Sequence, residues 1–390
     1  MHPIAIYADR AITPFDEISD AVVVIHGSTI SAVGRRGAVE IPRGVREIAA
    51  PGKTIVPGFV DVHIHGAGGH DVMEGTSEAL EIVAATVARR GTTSLVATTV
   101  TASDAQTYAS VAGIARFILD AGLSPARDLA AEIVGIHFEG PFISAARRGV
   151  HPTQWIAAPS RSYLGRLLEE AQGTAQILTL APELPGALDL ITMARDAALV
   201  VSLGHTDATY DEARSAIAAG ARHAAHVFNA MRPFSHRETG VLGAVLTSPE
   251  VSTELIADGV HVDAAAIRML VSLKGPELVI LVSDGTSATG MPDGNYQLGT
   301  FQVTLSEGVC RNAQGKLAGS TLTLDRALRN MVALGVPLLS AVRMLTANPA
   351  RQIGLAAKKG ILAPGADADL VLLDDKLEVS GVMTRGVGLA

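Results

Sequence analysis

Val60-Asp61-Val62-His63-Ile64-His65 alternates apolar and polar residues with a period of two, the pattern of a β-strand. Side chains two apart on a strand share a face, so His63 and His65 project together. Gly66 then allows a sharp turn. Two imidazoles side by side at a strand end can hold a divalent metal. Further along, single polar residues interrupt other apolar runs: Glu139 in Ile136-His137-Phe138-Glu139, His205 in Ser202-Leu203-Gly204-His205, His226 in Ala225-His226-Val227, and Asp284 in Val282-Ser283-Asp284-Gly285. A mixed set of imidazoles and carboxylates suits Zn²⁺, Fe²⁺ or Mn²⁺ rather than Ca²⁺ or Mg²⁺. Asp284 is the candidate proton shuttle, because a carboxylate beside metal-activated water can take its proton and hold it for a leaving group. His137 shares parity with Glu139 and reads as a core residue or a support for a ligand.

These residues need elements that bring them to one place. Strands are predicted near 58–65, 94–99, 132–139, 176–182, 199–205, 223–228, 253–258 and 278–284. Helical stretches fall between most of them, at 77–90, 105–119, 187–197, 211–219 and 264–273; the connection after the sixth strand gives no clear pattern. Eight strands alternating with helices over this length match a (β/α)₈ TIM barrel better than an open sheet. Each chemistry-bearing residue ends its strand, and barrel active sites lie at the C-terminal ends of the strands. Residues 57–356 are assigned to the barrel, with a hairpin excursion at 296–319 followed by helices at 321–334 and 338–347. Residues 1–56 and 357–390 both read as short strands with turns, and together predict one small β-sandwich domain.

Composition excludes several alternatives. With 390 residues, 48% hydrophobic and 18% charged, the chain is core-rich and folded. Its net charge of −8 and the absence of any basic run longer than a dipeptide argue against nucleic acid as a partner. A small anionic substrate remains compatible, since a few local cations outweigh the global field. The only cysteine, Cys310, leaves no internal disulfide and fits a reducing cytoplasm. No signal-peptide pattern and no apolar run of membrane-spanning length are read, so a membrane role is not expected.

The motifs resemble the amidohydrolase superfamily, and within it the N-acetylglucosamine-6-phosphate deacetylases. The matching pieces are Pro57-Gly58-Phe59-Val60-Asp61-Val62-His63-Ile64-His65-Gly66, His137-Phe138-Glu139-Gly140-Pro141, Gly204-His205-Thr206-Asp207, His226-Val227-Phe228-Asn229-Ala230-Met231, Ser283-Asp284-Gly285 and Leu317-Ala318-Gly319-Ser320. The resemblance implies that Glu139, His205 and His226 hold a main divalent metal and that Asp284 is the catalytic base and acid. His63 and His65 would complete a second metal site, giving one or two ions per subunit, with zinc favoured and iron or manganese also suited. It also implies that Arg237 and His261 bind a substrate phosphate, assisted by Asn229 and the Ala230 N–H, and that His151 contacts the sugar. In such relatives the phosphate-binding arginine comes from the neighbouring subunit, so a homodimer with shared sites is expected. The implied reaction removes the acetyl group from N-acetylglucosamine 6-phosphate. Two alternatives stand beside it: the galactosamine analogue, or another amidohydrolase acting on a cyclic amide or an N-acyl amino acid.

Overall fold

The computed structural model describes residues 3–121 and 128–389. Eight parallel strands, hydrogen-bonded in chain order, make one sheet: Phe59–Ile64, Thr92–Thr99, Glu132–Glu139, Ala175–Leu180, Val200–Leu203, His223–Ala224, Ser252–Leu255 and Val279–Leu281. The chain just beyond the eighth strand meets the end of the first. There the Asp284 N–H donates to the His63 carbonyl at 2.9 Å and the His65 N–H to the Gly285 carbonyl at 2.8 Å. The sheet therefore closes at its C-terminal rim, and the fold is the expected (β/α)₈ barrel.

Local chemistry accounts for most of the intervening helices. Ser77–Ala88 starts on Thr76, whose hydroxyl accepts the Ala79 N–H, and buries Leu80, Val83 and Val87 at helical spacing. Tyr210–Ala219 starts with a reciprocal capping box between Thr209 and Glu212 and stops at Gly220. The uncertain connection after the sixth strand contains the helix Gly240–Thr247. All but its last residue are buried, so it carries no polar face and no amphipathic period. A further helix, Arg161–Ala171, lies where none was predicted; its Ser160 cap and its Leu164, Leu167 and Ala171 stripe are the signals that could have found it. The excursion after the eighth strand is a three-stranded antiparallel meander, Gly294–Leu298, Phe301–Ser306 and Val309–Asn312, rather than a single hairpin.

Both ends of the chain meet in one mostly antiparallel sheet. Ile4–Ile12, Glu17–His26, Thr29–Arg35 and Arg46–Pro57 join Leu370–Leu373, Val379–Thr384 and Val387–Gly388. Arg46–Pro57 is central: it pairs in parallel with Ile4–Ile12 and antiparallel with Leu370–Leu373 before leading into the first barrel strand. Apolar clusters cover both faces, one around Ile6, Val23, Ile25 and Leu370, the other around Ala5, Val22 and Val24. A buried ion cluster ties this sheet to the barrel. Lys359 Nζ contacts Glu132 at the start of the third barrel strand at 2.5 Å, Asp367 at 2.8 Å and Asp369 at 2.9 Å.

Candidate active site

The strand ends place the side chains by local backbone strain as well as by register. His205, His226 and Asp284 have φ of 47°, 26° and 49°, in the left-handed region that costs a non-glycine residue about 1–2 kcal/mol. Each leaves its strand in this conformation, and its side chain lines the cleft at the barrel mouth. Glycine is required where the chain passes close by. A Cβ on Gly66 would lie 2.3 Å from the His70 carbonyl oxygen, and one on Gly319 would lie 2.9 Å from that of Asp284.

Four imidazoles and two carboxylates converge there. Glu139 Oε1 lies 2.9 Å from His226 Nε2, 3.0 Å from His205 Nε2 and 3.3 Å from His63 Nε2. Asp284 Oδ1 lies 3.2 Å from His65 Nε2 and 3.7 Å from His63 Nε2. In three of the four rings the opposite nitrogen is held by a fixed acceptor. His65 Nδ1 donates to the Thr98 carbonyl at 2.9 Å, His205 Nδ1 to the Arg147 carbonyl at 3.0 Å, and His63 Nδ1 to Glu254 Oε2 at 2.8 Å. With Nδ1 as donor, each of these rings can turn an Nε2 lone pair into the site.

His205 Nε2 and His226 Nε2 lie 3.2 Å apart, and the buried Nε2 of His63 has no hydrogen-bond partner. Imidazole nitrogens and carboxylate oxygens packed this closely are the donor set a divalent cation takes, so the residues present fit such an ion. His151 differs. Its Nδ1 accepts the Thr101 main-chain N–H at 3.3 Å, which leaves Nε2 as the protonated nitrogen, 3.4 Å from Glu139 Oε2. It is a hydrogen-bond donor aimed into the cleft.

The electrostatics follow from burial set against these contacts. Burial alone would raise the Glu139 carboxyl, but the His63 ring and the hydrogen bond from His151 hold it well below the usual carboxylate range. Burial likewise opposes ionisation of Asp284, and the hydrogen bond to His65 with the nearby His63 and His226 rings outweighs it. Burial pushes His205 down to about 4 and His137 down to about 3, so both rings are neutral at physiological pH. His137 donates or accepts at Thr179 Oγ1 (2.7 Å) and packs against His63, a supporting place rather than a ligand position.

Asn229, Ala230 and His261 line the same cleft. His261 is oriented by Asp258, whose Oδ2 accepts from Nδ1 at 2.7 Å. Arg237 is the exception: it sits in the exposed segment 233–238, away from the cleft lining. Among the described residues, no lysine or arginine lines that cleft. The sequence reading missed Glu254 and its neighbour His223, both fully buried, and the apolar wall supplied by Leu298 and Phe301 of the meander. A glutamate in the middle of a buried parallel strand, Ser252-Thr253-Glu254-Leu255, is the signal that could have found the first.

The amidohydrolase family matches residues 54–388. The chain is 38% identical to the N-acetylglucosamine-6-phosphate deacetylase of Vibrio furnissii, over 94% of this chain and 90% of that one. It is also 38% identical to the N-acetylgalactosamine-6-phosphate deacetylase of Escherichia coli O157:H7, over 91% and 92%. A mutant N-acetyl-D-glucosamine-6-phosphate deacetylase from Mycobacterium smegmatis, solved with N-acetyl-D-glucosamine-6-phosphate, superposes with a TM-score of 0.92 at 38% identity, covering 100% of this chain and 99% of that one. The chain belongs to the amidohydrolase family, in the branch of the N-acetylglucosamine-6-phosphate deacetylases.

Proposed function

We propose that this protein removes the acetyl group from N-acetylglucosamine 6-phosphate, giving glucosamine 6-phosphate and acetate. The observation that carries the reading is the convergence of Glu139, His205, His226, His63, His65 and Asp284 in one cleft of a chain whose relatives are such deacetylases. Glu139, His205 and His226 would hold a main divalent cation, and His63 with His65 a second; zinc suits these ligands best, with iron or manganese as alternatives. A bound cation supplies Lewis acidity, polarising a carbonyl and lowering the pKa of water in contact with it.

The chain's own residues do the rest. The Asp284 carboxylate is ionised and takes the proton from the attacking water, then returns it to the amine nitrogen as the C–N bond breaks. His151 Nε2–H donates to the acetyl oxygen or a neighbouring sugar hydroxyl as charge develops. Leu298 and Phe301 exclude bulk water from one side of the cleft. Asn229, Ala230 and His261 orient the sugar and its phosphate.

A dianionic phosphate still needs a strong cation, and the cleft's own lining has none among the described residues. The exposed Arg237 segment would supply it to a neighbouring copy, which makes the working unit a homodimer with shared sites. A phosphorylated substrate and a single buried thiol, Cys310, suit a cytoplasmic location.

The test is a deacetylation assay across phosphorylated and free N-acetyl hexosamines, with metal analysis of the same sample. Equal rates on free N-acetylglucosamine would remove the phosphate from the reading. A preference for the galactosamine ester, the substrate named for the Escherichia coli relative, would favour that second reading.

A further inference from the structure

One buried carboxylate near the cleft has no part in the proton transfers above. Glu254 is completely buried, and both of its oxygens are engaged. Oε2 accepts from His63 Nδ1 at 2.8 Å and from the His226 main-chain N–H at 3.0 Å, while Oε1 meets His223 Nε2 at 2.9 Å. His223 continues through Nδ1 to Ser252 Oγ at 2.6 Å, which in turn donates to Gln352 Oε1 at 2.8 Å. A chain of hydrogen bonds thus runs from the far side of the barrel wall to the His63 ring.

Among the four clustered histidines His63, His65, His205 and His226 this support is particular to His63. His65 and His205 give their Nδ1 hydrogens to main-chain carbonyls, and His226 Nδ1 has no partner among the described residues. A carboxylate does two things a carbonyl does not: it carries a full negative charge, and it raises the basicity of the ring nitrogen on the other side. Charge also has to balance in a buried site. Glu139 and Asp284 together offset one divalent ion, so a second needs further negative charge close by.

We propose that Glu254 is a positioning residue for the second cation site. It holds His63 as the Nδ1–H form, keeps Nε2 facing His65 and Asp284, and supplies the charge that lets two cations bind instead of one. The inference rests on the metal-centre reading above. It assigns Glu254 no contact with substrate.

The test reads metal binding, not turnover. The purified enzyme is stripped with chelator and titrated with Co²⁺, following visible absorbance, and total metal is measured after Zn²⁺ loading. Glu254→Gln has the same shape, and an amide can meet His223 in its other tautomer, so the variant removes charge while keeping the hydrogen-bonded frame. The wild type should take up two equivalents. In Glu254→Gln the second equivalent should bind about 10–100-fold more weakly while the first is retained. Glu254→Ala should lose the second outright; should it not fold, the glutamine variant carries the test. In a His63→Asn background, Glu254→Gln should have no further effect on the remaining equivalent. A wild type that stops at one equivalent would overturn the proposal, as would wild-type affinity for both equivalents in Glu254→Gln, or equal weakening of the two. Uptake of no metal by the wild type would instead overturn the metal-centre reading.

Discussion

Asp284→Asn isolates the proton-transfer step, because little else about the site should change. The residue sits at φ 49°, and asparagine is among the few residues that tolerate this region, so the backbone at the barrel mouth is kept. Asparagine also matches aspartate in volume, so the packing around this mostly buried residue is kept. What disappears is the acceptor for the water proton and the donor for the departing amine. General acid–base catalysis of this kind contributes about 10²–10⁴-fold, or roughly 3–5.5 kcal/mol of barrier. Asp284 Oδ1 faces His65 and His63 rather than the proposed ligands Glu139, His205 and His226, so KM and the first equivalent of metal should stay close to wild type while kcat falls by that factor. The assay is steady-state acetate release with metal analysis and a melting curve on the same preparation. A variant with kcat within threefold of wild type, folded and metal-loaded, would refute the assignment. A loss of rate that follows a loss of metal would refute it too, because the residue would then be acting mainly as a ligand.

Three further perturbations test other parts of the account. If Arg237 serves the neighbouring subunit, then mixing inactive Arg237→Ala with inactive Asp284→Asn and letting subunits exchange should restore about a quarter of wild-type activity, since half the dimers are mixed and one of their two sites is intact; no recovery on mixing would show that each chain supplies its own arginine. Lys359 is 4% exposed and contacts the equally buried Asp369 beside the partly exposed Glu132 and Asp367, so Lys359→Met should leave the Asp369 carboxylate buried without its cation and cost about 3–5 kcal/mol in urea unfolding; a change under 1 kcal/mol would mean the cluster does not clamp the terminal sheet. Asp71 is buried where its carboxyl accepts the Met73 and Gly299 N–H groups, and burial pushes it up from 3.8 to about 6. The folded state therefore holds this proton over a range where the unfolded chain has released it, and stability falls as pH rises from about 4 to about 6. The penalty of Asp71→Asn should accordingly be largest near pH 4 and shrink by up to about 3 kcal/mol by pH 7; a penalty that grows over this range would contradict the sign.

Much of the site was legible because it is written at short range. His63 and His65 declare themselves by the period of two, and each remaining cluster residue stands alone at the end of an apolar run, so strand identity and strand end are both readable. The helix Gly240–Thr247 was not legible, because burial on nearly every side erases the polar face that periodicity needs. Glu254 and His223 were not legible as a pair, because 31 residues separate them and only neighbouring barrel strands bring their atoms to 2.9 Å.

The sequence by itself determined the barrel, the strand that carries each candidate ligand, and the chemistry such residue types can perform, since these depend on patterns within about ten residues. Only the tertiary structure decided which ring nitrogen of each histidine faces the cleft. That depends on acceptors from distant segments: Thr98 for His65, Arg147 for His205 and Glu254 for His63. It also decided that Arg237 lies outside the cleft of its own chain, because the direction an exposed loop takes is set by packing around it and not by its own residues.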